Sequence, residues 1–204
     1  SRNLLKSSIN TFKENLLTLF KENPETLAYY DIKFEDIEEV NATAASELEF
    51  WVKTPNEKAH IEELSTSQVL QEQYWTRTKG AVRTALEETL ILMEEYGFKP
   101  EMGHKEVGGV KSKLEPNGQF NHIMEQLEID WKYDDATQSA DNEIFVKILI
   151  QETFRRHGLD VTFSAKPIDD VAGNGMHIHL GASLKLVNGK IINLFHSKEN
   201  GFIS

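Results

Sequence analysis

Two short stretches alternate carboxylate and apolar side chains so regularly that they fix the type of structure around them. Residues 44–53 read AASELEFWVK, with Glu47 and Glu49 falling between Leu48 and Phe50, and residues 125–133 read EQLEIDWKY, with Glu128 and Asp130 alternating with Leu127, Ile129 and Trp131. A period of two belongs to a β-strand, which sends successive side chains to opposite faces. Each segment is therefore expected to present one apolar face to a core and one acidic face away from it. Neighbouring carboxylates on a sheet repel one another unless something positive lies between them. Either that face is simply solvated, a reading equally open for the isolated Glu106 and Glu128, or it holds a divalent cation. Magnesium and manganese take oxygen ligands, and manganese also accepts imidazole.

The remaining segments supply helices and further strands. Leu5, Ile9, Phe12, Leu16 and Phe20 recur at three- and four-residue spacings, which predicts a helix over residues 4–20 that Pro24 brings to a stop. A second helix is expected from about Ser67 to Gly97, with Gly80 in its middle and Gly97 as its C-cap. The glycine-rich FKPEMGHKEVGG reads as a strand, followed by an irregular insertion from Gly108 to about Met124. Residues 136–157 predict a helix burying Ala140, Ile144, Ile148 and Phe154 and stopped by Gly158. DVTFSAKP and GMHIHLGASLKLVNGKIINLF read as strands, the second containing an Asn-Gly turn. No internal repeat or low-complexity tract interrupts the chain. The expected class is α+β with a mainly antiparallel sheet and packed helices, in one domain or two small ones.

Bulk properties narrow the partners. A formal net charge of -11 argues against a nucleic-acid backbone as ligand. The chain contains no cysteine, so thiolate metal sites and disulfides are both excluded. No apolar run approaches the roughly 20 residues of a membrane span, and no secretory leader pattern opens the sequence, so a cytoplasmic protein without membrane partners is expected.

The histidines concentrate the chemistry. In AGNGMHIHLG, residues 172–181, His177 and His179 share one face of a strand behind Gly173 and Gly175. They could serve as ligands or as ordinary polar-face residues, and the glycines suit a close approach of backbone to a ligand. AGNG matches neither a Walker loop nor a dinucleotide fingerprint. Lys166 could meet an acidic ligand or merely end its strand before Pro167. Gly108, Gly109, Lys111 and Lys113 form a basic loop that could approach phosphate or simply be solvated, and Trp51, Trp131 and Phe163 are read as packing residues.

Taken in order, AASELEFWV, GHKEV, EQLEIDWKYDDATQSADNEIFVKILIQETFRRHGLDVTFSAKP and GNGMHIHLG resemble the catalytic domain of glutamine synthetases, in particular the bacterial type, over roughly residues 40–185. The resemblance implies an ATP-dependent ligase that phosphorylates the γ-carboxylate of glutamate and lets ammonia displace phosphate from γ-glutamyl phosphate. Its cofactors would be Mg2+ or Mn2+, with ATP as cosubstrate. By motif, Glu49, Glu106 and Glu128 would surround one metal, while Glu47 and His177 would serve the metal near the transferring phosphoryl group, so that Glu106 and His177 stand at the reacting centre. His179 would lie near the nucleotide phosphates, and Gly173 in the loop that contacts substrate glutamate.

Several departures mark a divergent member. Glu106 and Glu128 are separated by an insertion, and Asn121 in GQFN is a weaker match for the second glutamate than Glu128. AGNG replaces the more usual NGSG, and Gly181 stands where a serine is frequent. The chain is expected to be a partial catalytic domain without the N-terminal β-grasp domain and the C-terminal catalytic portion, inactive by itself. The full-length parent would be a homo-oligomer with active sites between neighbours. A γ-glutamyl-amine ligase and a non-catalytic structural or interaction relative are the alternatives.

Overall fold

The computed structural model describes residues 2–55, 77–111, 122–167 and 172–196. In chain order these form α1 (Arg2–Glu22), α2 (Glu25–Ala28), β1 (Ile37–Pro55), α3 (Gly80–Glu95), β2 (Pro100–Lys111), β3 (His122–Trp131), β4 (Asp134–Asp135), α4 (Ala136–Arg156), β5 (Asp160–Thr162), β6 (Met176–Leu186) and β7 (Ile191–Asn193). The class is α+β, and the strand pairings whose registers are defined are all antiparallel. Two compact units emerge. The first comprises Ser1–Ala45, Tyr133–Asp141 and His179–Ser204, and the second Ser46–Lys132 and Asn142–Ile178, so β1, α4 and β6 each run through both.

In the second unit, β3 lies between β1 and β2, and β5 also pairs with β1. The period-two reading holds here. Leu48, Phe50 and Val52 from β1 and Leu127, Ile129 and Trp131 from β3 are buried against Val82, Ala85, Leu86 and Met93 of α3 and Val146, Ile150 and Phe154 of α4. Phe50 meets Phe154 edge-on, with ring centroids 5.5 Å apart. Burying each such side chain contributes roughly 1.5–3 kcal/mol, which commits the apolar face to the helices and leaves the acidic face on the other side. Gly103 lets β2 pass close beneath α3, because a Cβ there would lie 3.1–3.2 Å from the methyls of Leu86 and Leu90.

The first unit has its own core. Phe20 and Leu27 pack with Val40, Leu184, Leu186 and Ile192, supported by Leu16, Leu17, Tyr30 and Leu194 among others. The α1 stripe is as expected except that Phe12 stays exposed. β6 and β7 form the anticipated hairpin, in which Gly189 takes a φ of +81° and the Leu186 amide donates to the Lys190 carbonyl at 2.9 Å. No helix among the described residues is long and apolar enough to cross a membrane.

Three sequence expectations change. Helix α3 starts at Gly80 instead of containing it: Lys79 is extended and Gly80 has a φ of +58°, a left-handed conformation that suits glycine at a helix entrance. The expected start at Ser67 lies outside the described residues. Helix α4 buries Val146, Ile150, Thr153 and Phe154, whereas Ile144 and Ile148 are exposed and Ala140 is half-buried. Two apolar stripes compete on this helix, and the core takes the one continued by Asn142 and Thr153, whose polarity hid it. Part of the expected irregular insertion is strand. Strand β2 continues through Gly108 and Gly109 to Lys111, and β3 begins at His122, while Lys113 and Asn121 lie outside the described residues.

Candidate metal centre

The antiparallel register of the second unit assembles the acidic face. Glu49 stands directly opposite Glu128 and Glu47 opposite Asp130 in the β1–β3 ladder, while His104 of β2 stands opposite Glu128 from the other side. The β2–β3 register shifts between Lys105 and Val107, so Glu106 faces no residue of β3 in the ladder. Such a bulge bends a strand and re-aims its side chain. On the other side of this hairpin, Lys105 and Glu125 form a buried ion pair at 2.7 Å.

Two groups of potential ligands result. One atom each from Glu47, Glu128 and His177 lie within 4.8 Å of one another, and so do atoms from His104, Glu106 and Glu128. Glu128 belongs to both. The His177 Nδ1 atom is 3.3 Å from Glu47 Oε2, and His104 Nε2 is 3.2 Å from Glu128 Oε1. Burial disfavours the charged form of His104, but the Glu128 carboxylate beside its ring, the Lys105 carbonyl and the charge of Glu106 outweigh that and raise its pKa. Burial likewise raises the pKa of Asp130, whose Oδ1 has no hydrogen-bond partner among the described residues. Carboxylates thus outnumber imidazoles on one partly dry surface. Oxygen-rich ligands with one or two imidazoles suit magnesium or manganese and are a poor match for a soft, thiolate-seeking ion.

Glu49 stands in neither group. Its Oε2 accepts 2.8 Å hydrogen bonds from Gln126 Nε2 and from the Gly175 amide. Gly175 has no room for a side chain: a Cβ there would lie 2.8 Å from Glu49 Oε1 and 3.1 Å from His177 Nε2. Gly173 is equally constrained, since its Cβ would meet the Ala165 carbonyl oxygen at 2.3 Å. The loop between them is anchored by Asn174, whose Nδ2 donates to the Thr162 and Ser164 carbonyls at 3.0 and 2.8 Å. At its start, Trp51 Nε1 donates to the Ala172 carbonyl at 3.1 Å. Trp51 and Trp131 are fully buried and Phe163 packs on the core, as their packing role requires.

His179 lies on β6 in the first unit and is exposed, as is Lys166 in the second. Gly181, in the first unit, sits where its Cβ would be 2.4 Å from Thr43 Oγ1, so the threonine fills the space a serine at 181 would need. Sequence reasoning missed His104, Gln126 and Asn174. His104 and Gln126 were detectable in principle, since each lies two positions from a chosen glutamate and a strand returns every second residue to the same face.

Residues 26–204 match the sequence model of the glutamine synthetase catalytic domain. The chain belongs to that family. A glutamine synthetase from Rhizobium leguminosarum bv. phaseoli is 36% identical over 110 residues, 54% of this chain and 21% of the relative. One from Pyrococcus abyssi is 39% identical over 88 residues, 43% of this chain and 17% of the relative. Among solved structures, one described as "Apo GmaS without ligand" superposes with a TM-score of 0.53 at 25% identity, covering 80% of this chain and 34% of that one. The glutamine synthetase-like chain thus spans about a fifth of the length of these curated relatives and about a third of the solved chain.

Proposed function

We propose that this chain carries the cation-binding part of an ATP-dependent ligase that joins ammonia to the γ-carboxylate of glutamate through γ-glutamyl phosphate. The supporting observation is the convergence of Glu47, Glu128 and His177, and of His104, Glu106 and Glu128, on one face of a sheet whose other face packs Leu48, Phe50, Leu127 and Ile129 into the core. Family membership supports a ligase, and the donor set fits Mg2+ or Mn2+. Glu47, Glu49, Glu106, Glu128 and His177 would hold the ions. When bound, they would polarise phosphate oxygens and screen them from an anionic substrate.

The protein's own groups have separable tasks. Glu106 and His177 would line the reacting centre, with the bulge directing the first and Glu47 orienting the second. Gly173 and Gly175, which tolerate no Cβ, would let backbone approach the glutamate substrate. His179 is assigned to the nucleotide phosphates. The natural protein carrying this chain would act in the cytoplasm as a homo-oligomer using glutamate, ammonia and ATP.

The test is glutamate-dependent phosphate release by that protein with ATP, Mg2+ or Mn2+, and either ammonia or a panel of amines. Phosphate release matched by glutamine supports the proposal. Preference for an organic amine transfers the reading to a γ-glutamyl-amine ligase. No glutamate-dependent turnover with any amine or metal defeats both and leaves the structural or interaction relative.

A further inference from the structure

Gln126 is fully buried on β3, two residues from Glu128 and paired with Trp51 in the β1–β3 ladder. Its amide nitrogen is surrounded by acceptors: Glu49 Oε2 at 2.8 Å, the Gly173 carbonyl at 2.8 Å and Asn174 Oδ1 at 3.3 Å. Its Oε1 has no hydrogen-bond partner among the described residues. These neighbours settle which end of the amide points where, because a flipped side chain would set its oxygen against a carboxylate and a carbonyl. One donor group therefore joins a carboxylate of the acidic face to the backbone of the 172–175 loop. The Gly175 amide donates to the same Glu49 oxygen at 2.8 Å, so loop and carboxylate are joined twice.

We propose that Gln126 is a positioning residue that ties the Glu49 carboxylate to the 172–175 loop, so that cation binding through Glu49 and the placement of the loop are set together. This rests on the cation reading above. Two donors on Oε2 orient the carboxylate and leave Oε1 as its more available oxygen. Glutamate at 126 would put a second carboxylate where a donor is needed, and an apolar residue would leave Glu49 Oε2 and the Gly173 carbonyl short of a partner. Removing an outer partner of a metal ligand typically costs 10- to 100-fold in metal affinity.

The experiment titrates the 204-residue chain with Mn2+, following free manganese by electron paramagnetic resonance, for wild type, Gln126→Met, Glu49→Gln and the double variant. Far-UV circular dichroism checks folding, and Gln126→Glu, closer in shape, replaces the methionine variant if that one misfolds. The expected result is a roughly 10- to 100-fold loss of affinity for Gln126→Met that disappears in the Glu49→Gln background. In metal-free protein, the Trp51 indole N–H, which is bonded to Ala172 at the loop's start, should exchange with solvent faster in Gln126→Met than in wild type. Unchanged affinity, or the same fold-loss in both backgrounds, overturns the coupling and leaves Gln126 a packing residue. A wild-type chain that binds no manganese sinks the cation reading itself and overturns the coupling with it.

Discussion

Strand β1 offers an internal comparison, because it runs through both units with one alternation of buried and half-buried residues. Between Val40 and Phe50 its half-buried positions are Asn41, Thr43 and Ala45 in the first unit and Glu47 and Glu49 in the second. Each stretch leans on a glycine without room for a side chain, Gly181 against Thr43 Oγ1 in the first unit and Gly175 against Glu49 Oε1 in the second. The neutral stretch shows that the strand needs no charge to pair or to pack. The carboxylates of the other stretch are held by groups outside the strand, Glu49 by Gln126 and the Gly175 amide and Glu47 by the His177 ring.

The sharpest break in this comparison should come at Glu128, shared by both candidate ligand groups. Glu128→Ala is expected to weaken manganese binding roughly 100-fold or more, at least the upper end of what an outer partner costs, with an unchanged far-UV spectrum. Titration calorimetry would check it, and an unaltered affinity would remove the metal role from the acidic face. At the neutral end, Gly181→Ala should destabilise the protein by about 1–3 kcal/mol through the clash with Thr43 while leaving manganese affinity alone. Chemical denaturation would measure this, with Thr43→Ala expected to relieve most of the loss.

Its counterpart Gly175→Ala should do the reverse, lowering manganese affinity about tenfold by displacing Glu49 or His177. If both glycine variants lost only stability, the two stretches of β1 would not differ in kind. A smaller effect is expected from Glu47→Gln, which removes one repelling charge and should stabilise the metal-free protein by up to about 0.5 kcal/mol. Saturating manganese should abolish or reverse that gain in thermal unfolding.

The smallest effect lies away from the site. Glu88 of α3 accepts from His157 and pairs with Arg156 at 2.8 Å, and the His157 hydrogen bond, ahead of the Arg156 charge, holds its pKa below the ordinary value. A lowered folded-state pKa contributes stability above the unfolded value that is lost as the pH falls through the folded one. Glu88→Gln should flatten the acid limb of the stability profile slightly and leave manganese binding at neutral pH unchanged.

How far the sequence could be read depended on the range of the interaction. Glu47, Glu49 and Glu128 were visible because a period of two is local to a strand, and Gly97 and Gly158 marked the ends of α3 and α4 because helix termination is local too. The α4 register is not legible in the same way, because the stripe that the core takes includes the polar Asn142 and Thr153 and only packing against the sheet selects it. Gln126 was passed over for a similar reason. A glutamine beside glutamates looks like any polar-face residue until Glu49 and the 172–175 loop are seen to converge on its amide.

By itself, then, the sequence determined which residues share a face and that one face had to be acidic, because side-chain direction follows from backbone geometry within a strand. The tertiary structure decided which of those residues meet. Strand register, the shift at Glu106 and the loop packed against Glu49 depend on contacts between distant segments, and those contacts are selected by burial of the apolar face, which no local pattern specifies.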